Sequence, residues 1–359
     1  MAQIEMLNYD VLREIFSYLD IYDRVRMGLV CKKWHNVVEI MMGSIHKMCI
    51  HVVDIRDHRS YSKKIQNDVL KIRTSNGRYL EKPLRKFASN LYKIKIEDNG
   101  RWDTSPYIYK LLKKCTNLTY ARLVCQRSQS VEHFLEFLPT DNLEDLSIIL
   151  NLKRKMEQWP RNSYMDKVLA NSPKLKSLEL HNVPITELSS IGGMETLKAL
   201  YINVEELPHL SFDMKKLRNL ETLVITCMQL GSRDNLINLI RNCKKLHSVR
   251  FGSDDPSYEI ILNEMISLPN LRRLCLLDFY ESWHNFSNLE EIQIWYDEPS
   301  SMTKDQIKSF LERSENLKTY YFFDSEFEEL FQNVVIEIGH ECERKDIKEC
   351  KHWYYAIPF

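Results

Sequence analysis

Lys174-Leu175-Lys176-Ser177-Leu178-Glu179-Leu180 is one copy of a phrase that recurs along the chain. The phrase is a polar residue, Leu, two variable residues, an apolar residue, one variable residue, and a second apolar residue. Other copies are Asn90-Leu91-Tyr92-Lys93-Ile94-Lys95-Ile96, Asn142-Leu143-Glu144-Asp145-Leu146-Ser147-Ile148 and Asn219-Leu220-Glu221-Thr222-Leu223-Val224-Ile225. The lead leucines are 91, 118, 143, 175, 197, 220, 246, 271, 289 and 317. The copy at Leu118 is weaker, with Ala121 and Leu123 in the apolar slots, and a degenerate copy sits at Ile45, Met48 and Ile50. Leucines 175, 197 and 220 are separated by 22 and 23 residues, and the mean spacing is about 25, inside the 20–29 window of short structural repeats.

The two later apolar positions are two residues apart, so they share one face of a strand, and the intervening positions take the other face. Between the strands, apolar residues recur at helical spacing over 107–115, 131–138, 235–243, 258–266 and 305–311. Each strand–helix unit can bury its apolar face only against its neighbours. The predicted fold is therefore α/β: a solenoid with a parallel sheet on the concave face and helices outside.

This pattern resembles the leucine-rich-repeat family over roughly residues 44–341. The ninth repeat position departs from it, being Asn only at Asn99 and Asn151. The buried amide or thiol ladder of the family is thus mostly absent. The non-core strand positions would line the concave surface. They include Glu179, Val224, Cys275 and Gln293, and large apolar groups at Tyr201, Leu277, Trp295, Tyr321 and Phe323. The last five are the candidate substrate-binding residues, since exposed aromatics mark interfaces. The alternative is that the aromatic tail, residues 342–359, folds back over them as a cap. Concave positions offer only Arg122, Arg250 and Arg273 as arginines, spread over separate repeats, so no phosphate-reading cluster is predicted.

Residues 7–42 do not follow the repeat. Leu7-Asn8-Tyr9-Asp10-Val11-Leu12-Arg13-Glu14-Ile15-Phe16-Ser17-Tyr18-Leu19 carries apolar residues on one helical face, with Asn8 as N-cap. A second helix is expected from Asp20, with Ile21, Val25 and Leu29 as its apolar face. A third starts at Lys32, with Trp34, Val37, Val38 and Met41 on one side. Three short helices in about 40 residues bury little alone and usually need a partner. The leading Leu, the Val-Leu-x-x-Ile-Phe-x-x-Leu run, the acidic break and Val30-Cys31-Lys32-Lys33-Trp34 resemble an F-box. Asn8 stands where the F-box family usually has Pro.

The predicted division is residues 1–42 as F-box, 43–341 as an irregular solenoid of about 10–11 repeats, and 342–359 as tail. The combination is similar to the F-box/leucine-rich-repeat substrate receptors of Skp–cullin–F-box ubiquitin ligases. The resemblance implies a Skp-type adaptor on the F-box, a cullin–RING scaffold beyond it, and a protein substrate on the repeats. The adaptor-docking candidates it implies are Leu7, Asn8, Val11, Leu12, Ile15, Phe16, Leu19, Val30 and Trp34, which share their apolar character with the F-box's own core. A scaffold or decoy that binds the adaptor without ligase action, and a plain repeat-type binding module, are the alternatives.

Composition narrows the chemistry. Lys plus Arg and Asp plus Glu are each 50, so the net charge is zero and no basic surplus serves nucleic acid. Nine glycines, none at phosphate-loop spacing, argue against common nucleotide enzymes. The first ten residues do not read as a secretory leader and no apolar run reaches membrane-spanning length, so no membrane partner is expected. Nine scattered cysteines read as reduced thiols, which points to a cytoplasmic or nuclear location. His340, Cys342, Cys350 and His352 have poor zinc spacing and sit in a stretch, 341–349, read as a charged helix. No metal, cofactor or catalytic residue is predicted.

Overall fold

The computed structural model describes residues 7–19, 21–52, 63–66, 69–74, 88–98, 106–151, 164–183, 189–207, 216–230, 233–253, 258–276, 288–294, 303–322, 329, 331–335 and 343–344. The chain divides into two compact units, Met1–Leu175 and Lys176–Phe359.

In the first unit three helices, α1 (Tyr9–Ser17), α2 (Ile21–Met27) and α3 (Lys32–Gly43), precede a sheet. Its strands are β1 (Lys47–Val52), β2 (Lys63–Gln66), β3 (Val69–Thr74), β4 (Lys93–Asp98), β5 (Tyr120–Cys125) and β6 (Asp145–Leu150). Their spatial order is β6-β5-β4-β1-β3-β2. All pairs are parallel except β2–β3. Helices Pro106–Leu112, Ser128–Phe137 and Tyr164–Ala170 follow β4, β5 and β6 in the chain and pack on one another in sequence order.

The second unit holds β7 (Ser177–His181), β8 (Ala199–Leu207), β9 (Thr222–Leu230), β10 (Ser248–Ser253), β11 (Arg273–Leu276), β12 (Glu291–Ile294), β13 (Thr319–Phe322) and β14 (Glu343–Arg344). They lie side by side in chain order and are parallel throughout. Helices Arg233–Asn242, Tyr258–Ile266 and Lys304–Arg313 sit between strands in the chain. The last opens with a capping box between Thr303 and Gln306.

The repeat phrase sets the register. Leu178, Leu200, Leu223, Val249, Leu274, Ile292 and Tyr320 lie opposite one another across β7 to β13. Met48, Ile94, Ala121 and Leu146 do the same in the first unit. A one-residue slip would turn every one of these side chains out of the core. All ten lead leucines are buried.

The amide ladder missing from the ninth position is replaced at the residue before the lead leucine. Asn117 Nδ2 donates to the Ser89 carbonyl at 2.7 Å, Asn142 to Thr116 at 3.1 Å, Asn219 to Glu195 at 2.8 Å and Asn270 to Lys244 at 2.8 Å. Each bond ties a repeat to the one before it. Asn219→Ala is expected to lower stability by about 1 kcal/mol, read as a shift in urea midpoint; an unchanged midpoint would remove the ladder as a stabilising device.

Three expectations are corrected. The sheet is not parallel throughout: residues 63–66 and 69–74, which carry no repeat phrase, pair as antiparallel strands β2 and β3, and β3 lies parallel beside β1. Residues 343–344, inside the stretch read as a charged helix, are instead a strand, because they pair in parallel with Thr319 and Tyr320 as one more rung of the ladder. Leu29 lies outside α2 and is 81% exposed rather than on its buried face, because α2 ends at Met27.

The buried thiols give a pH signature. Burial pushes Cys115, Cys125 and Cys243 up to about 12. The folded state therefore holds these protons more tightly than the unfolded state. Stability is intact below about pH 9 and falls as pH rises toward 12, by roughly 1 kcal/mol per thiol at pH 10. Urea midpoints at pH 7.5 and pH 10 check this; equal midpoints would contradict it.

Candidate functional site

The three N-terminal helices are organised by two apolar pairs and one guanidinium. Asn8 caps α1 by accepting from the Val11 backbone N–H at 2.8 Å. Leu12 and Phe16, one turn apart, are buried to about 1% exposure. The Phe16 ring meets Trp34 edge-on at 5.2 Å between centroids. Val37, Val38 and Met42 of α3 complete this core. Gly28 ends α2 where a Cβ would stand 3.3 Å from the Val25 carbonyl oxygen and 3.5 Å from Val38 Cβ, so the close approach favours glycine.

Arg24 is 5% exposed. Its Nε donates to the Leu19 carbonyl at 3.0 Å and its Nη2 to the Ser17 carbonyl at 2.6 Å. A helix end leaves its last carbonyls without intrahelical partners, and a cation there also meets the favourable end of the dipole. Arg24 thus locks the end of α1 to α2. Sequence reading missed it, because an arginine on a short helix reads as a solvated side chain.

The opposite surface is apolar and open. Nine large apolar side chains stand exposed among the described residues. Seven of them, Tyr9, Val11, Ile15, Tyr18, Leu29, Val30 and Ile40, belong to these helices and their joints. Val11, Ile15 and Tyr18 follow one another at helical spacing on one stripe of α1 and just beyond it, while Leu29 and Val30 form the corner between α2 and α3. A helical segment that buries one apolar stripe and exposes another is built to be covered by a partner.

The F-box domain matches residues 4–42. This segment is an F-box. An F-box implies binding to a Skp-type adaptor, and the strands that follow form a leucine-rich-repeat array. Similar solved structures are an internalin of Listeria monocytogenes, at 16% identity with a TM-score of 0.41, covering 88% of this chain and 86% of that one. A second is internalin C2 of the same organism, at 19% identity and 0.36, covering 60% and 83%. A third is a leucine-rich-repeat protein of Leptospira interrogans, at 13% identity and 0.27, covering 87% and 92%. No curated protein matches the chain. The repeat assignment rests on the strand ladder and its register.

The docking candidates fall into three groups within the F-box. Leu12 and Phe16 are buried in its core. Leu7, Leu19 and Trp34 are half-buried, with the Trp34 Nε1 sealed from solvent and without an acceptor among the described residues. Val11, Ile15 and Val30 are exposed, and Asn8 is exposed with its side chain used as the cap. Tyr9, Tyr18, Leu29 and Ile40 are accessible apolar groups that the motif did not single out. An exposed helix stripe becomes readable only once its packed side is fixed.

Of the substrate-binding candidates, Tyr201 lies half-buried on β8, and Tyr321 lies on β13 in register with Gln293. Leu277, Trp295 and Phe323 lie outside the described residues, as do His340, Cys342, Cys350 and His352. The expected water-facing row is partly closed. Glu179, Val224, Cys275 and Gln293 are buried, with Glu179 held by His181 Nε2 at 2.9 Å. Parallel strands stand only ~4.8 Å apart, so a middle row is flanked on both sides by neighbouring side chains. Among the described residues no group of three or more His, Cys, Asp or Glu could hold a metal, and no helix is long and apolar enough to cross a membrane.

Proposed function

We propose that the protein is the substrate-recognition subunit of a Skp–cullin–F-box ubiquitin ligase. The F-box docks on the Skp-type adaptor, the adaptor joins it to a cullin–RING scaffold, and the repeats hold a protein substrate. The observation that carries the reading is the concentration of exposed apolar side chains on the F-box, outside its own core. Hydrophobic helix packing of this kind draws most of its energy from a few anchors. Val11, Ile15, Leu29 and Val30 are the anchors the surface offers. The chain itself carries no bond-making step; its contribution is proximity, holding a substrate lysine near a charged carrier.

The test is co-purification of the full chain with a Skp-type adaptor and a cullin–RING pair, followed by ubiquitin transfer to captured proteins. A stable complex that transfers ubiquitin supports the reading. Adaptor capture without cullin recruitment would make the chain a scaffold or decoy. No adaptor capture would leave a repeat-type binding protein with a helical cap.

A further inference from the structure

Arg122 lies in the middle of β5, between Ala121 and Leu123, which point into the core. Its own side chain takes the other face of the sheet and is only 7% exposed. The Nε is sealed from solvent with no hydrogen-bond acceptor among the described residues. Among the described residues no carboxylate pairs with it. A buried cation without a counter-charge is costly, and native structures rarely keep one without a use.

Its surroundings are basic. The register places Lys95 of β4 beside it, and Lys93 and Lys47 lie opposite each other and Tyr120 in the adjoining row. Lys95 is paired with Glu97 at 2.5 Å, and Lys93 lies 5.4 Å over the Tyr120 ring. The nearest acid on this row, Glu97, is thus engaged by Lys95. Across β1, β4, β5 and β6 this face carries Lys47, Lys93, Lys95 and Arg122 against Glu97 and Asp145.

We infer that this sheet face, centred on Arg122, binds an acidic segment of a protein partner in extended conformation, with an Asp or Glu carboxylate seated on the Arg122 guanidinium. The planar fork of arginine accepts a carboxylate in two parallel bonds, and burial strengthens them. Lys93 and Lys95 are two residues apart on one strand face, about 6.8 Å. That equals the spacing of same-face side chains in an extended peptide, so acidic residues at alternate positions keep step with this row, with Lys95 exchanging its Glu97 pairing for a peptide carboxylate. A nucleic acid would want an unbroken run of cations, and here Glu97, Asp145 and the apolar Val124 and Ile149 interrupt it. The inference gives the chemical class of the substrate in the function proposed above and rests on that reading of the repeats.

The experiment uses the full chain bound to its adaptor, or alone if no adaptor is captured. Fluorescence anisotropy follows a short labelled peptide alternating Glu and Ser, with a Gln/Ser peptide and a single-stranded oligonucleotide as controls. The Glu peptide is expected to bind, weakening with salt, and Arg122→Gln to lose about tenfold or more. Lys308→Gln, on the helix Lys304–Arg313, leaves binding unchanged. Arg122→Met is expected to fold with an unchanged or raised thermal midpoint, because it removes an unpaired buried charge. A lowered midpoint for Arg122→Met would make the residue structural and overturn the inference. So would equal binding of the Glu and Gln peptides, equal binding by Arg122→Gln, or preference for the oligonucleotide. Adaptor capture by Arg122→Gln is measured alongside: capture retained with peptide binding lost keeps the two readings separate, and capture lost in wild type fails the ligase reading alone.

Discussion

Replacing Val11 and Ile15 together by aspartate abolishes capture of the Skp-type adaptor while leaving the F-box folded. Both side chains stand more than 40% exposed on α1, one turn apart, and neither contributes to the core made by Leu12 and Phe16. Surface substitutions on a helix away from special features usually change stability by no more than about 0.5 kcal/mol, with a further few tenths for the poorer helix propensity of Asp. At an interface the same change is far larger. Truncating a well-packed apolar anchor costs about 2 kcal/mol or more, and here a charge would also be buried. Two such changes lower affinity by roughly a hundredfold at least. The measurement is adaptor affinity by calorimetry, with helix content followed by circular dichroism. Leu12→Asp is the contrast: it puts a charge into the core, and capture is lost together with helix signal. Full capture by the exposed double variant would exclude this stripe and shift the test to Leu29 and Val30.

Arg24→Ala is expected to melt the F-box. Two charge-assisted hydrogen bonds disappear, and the carbonyls of Ser17 and Leu19 lose their partner. Hydrogen bonds to charged groups contribute about 1.5–3 kcal/mol each, so the loss is on the order of 3 kcal/mol or more. A segment of about 40 residues has little stability of its own to absorb that. Limited proteolysis should cut between α1 and α3 in the variant and not in the wild type, and adaptor capture should fall with it. Arg24→Lys reaches one carbonyl at best and should lie between the two. A variant Arg24→Ala as resistant to protease as wild type would show that apolar packing alone fixes the two helices.

The repeats were legible in the residues because their physics is local and periodic. A strand that alternates two apolar positions, introduced by a buried leucine, has one register that keeps its side chains in the core. The phrase therefore anticipated which residues lie opposite one another from β7 to β13. The antiparallel β2–β3 pair escaped because it is not a repeat; only the short sequence alternation Leu70, Ile72 signalled a strand there. The asparagine ladder was in view as the polar residue before each leucine, but its partner is a carbonyl one repeat away. That distance in the chain is bridged only by the fold.

The F-box separates the two kinds of information most clearly. Sequence by itself determined that three short helices begin the chain, that Asn8 caps the first, and that strand–helix repeats with fixed register follow. Periodicity and capping are properties of neighbouring residues, so the chain states them directly. Only the tertiary structure decided that Phe16 faces Trp34 while Ile15 faces outward, that Arg24 closes the end of α1, and that Arg122 is buried with no carboxylate partner among the described residues. Core and docking stripe use the same apolar residue types, and a cation shows no sign of its partner in the chain. What a side chain does in those cases depends on which distant surface packs against it, and folding alone supplies that surface.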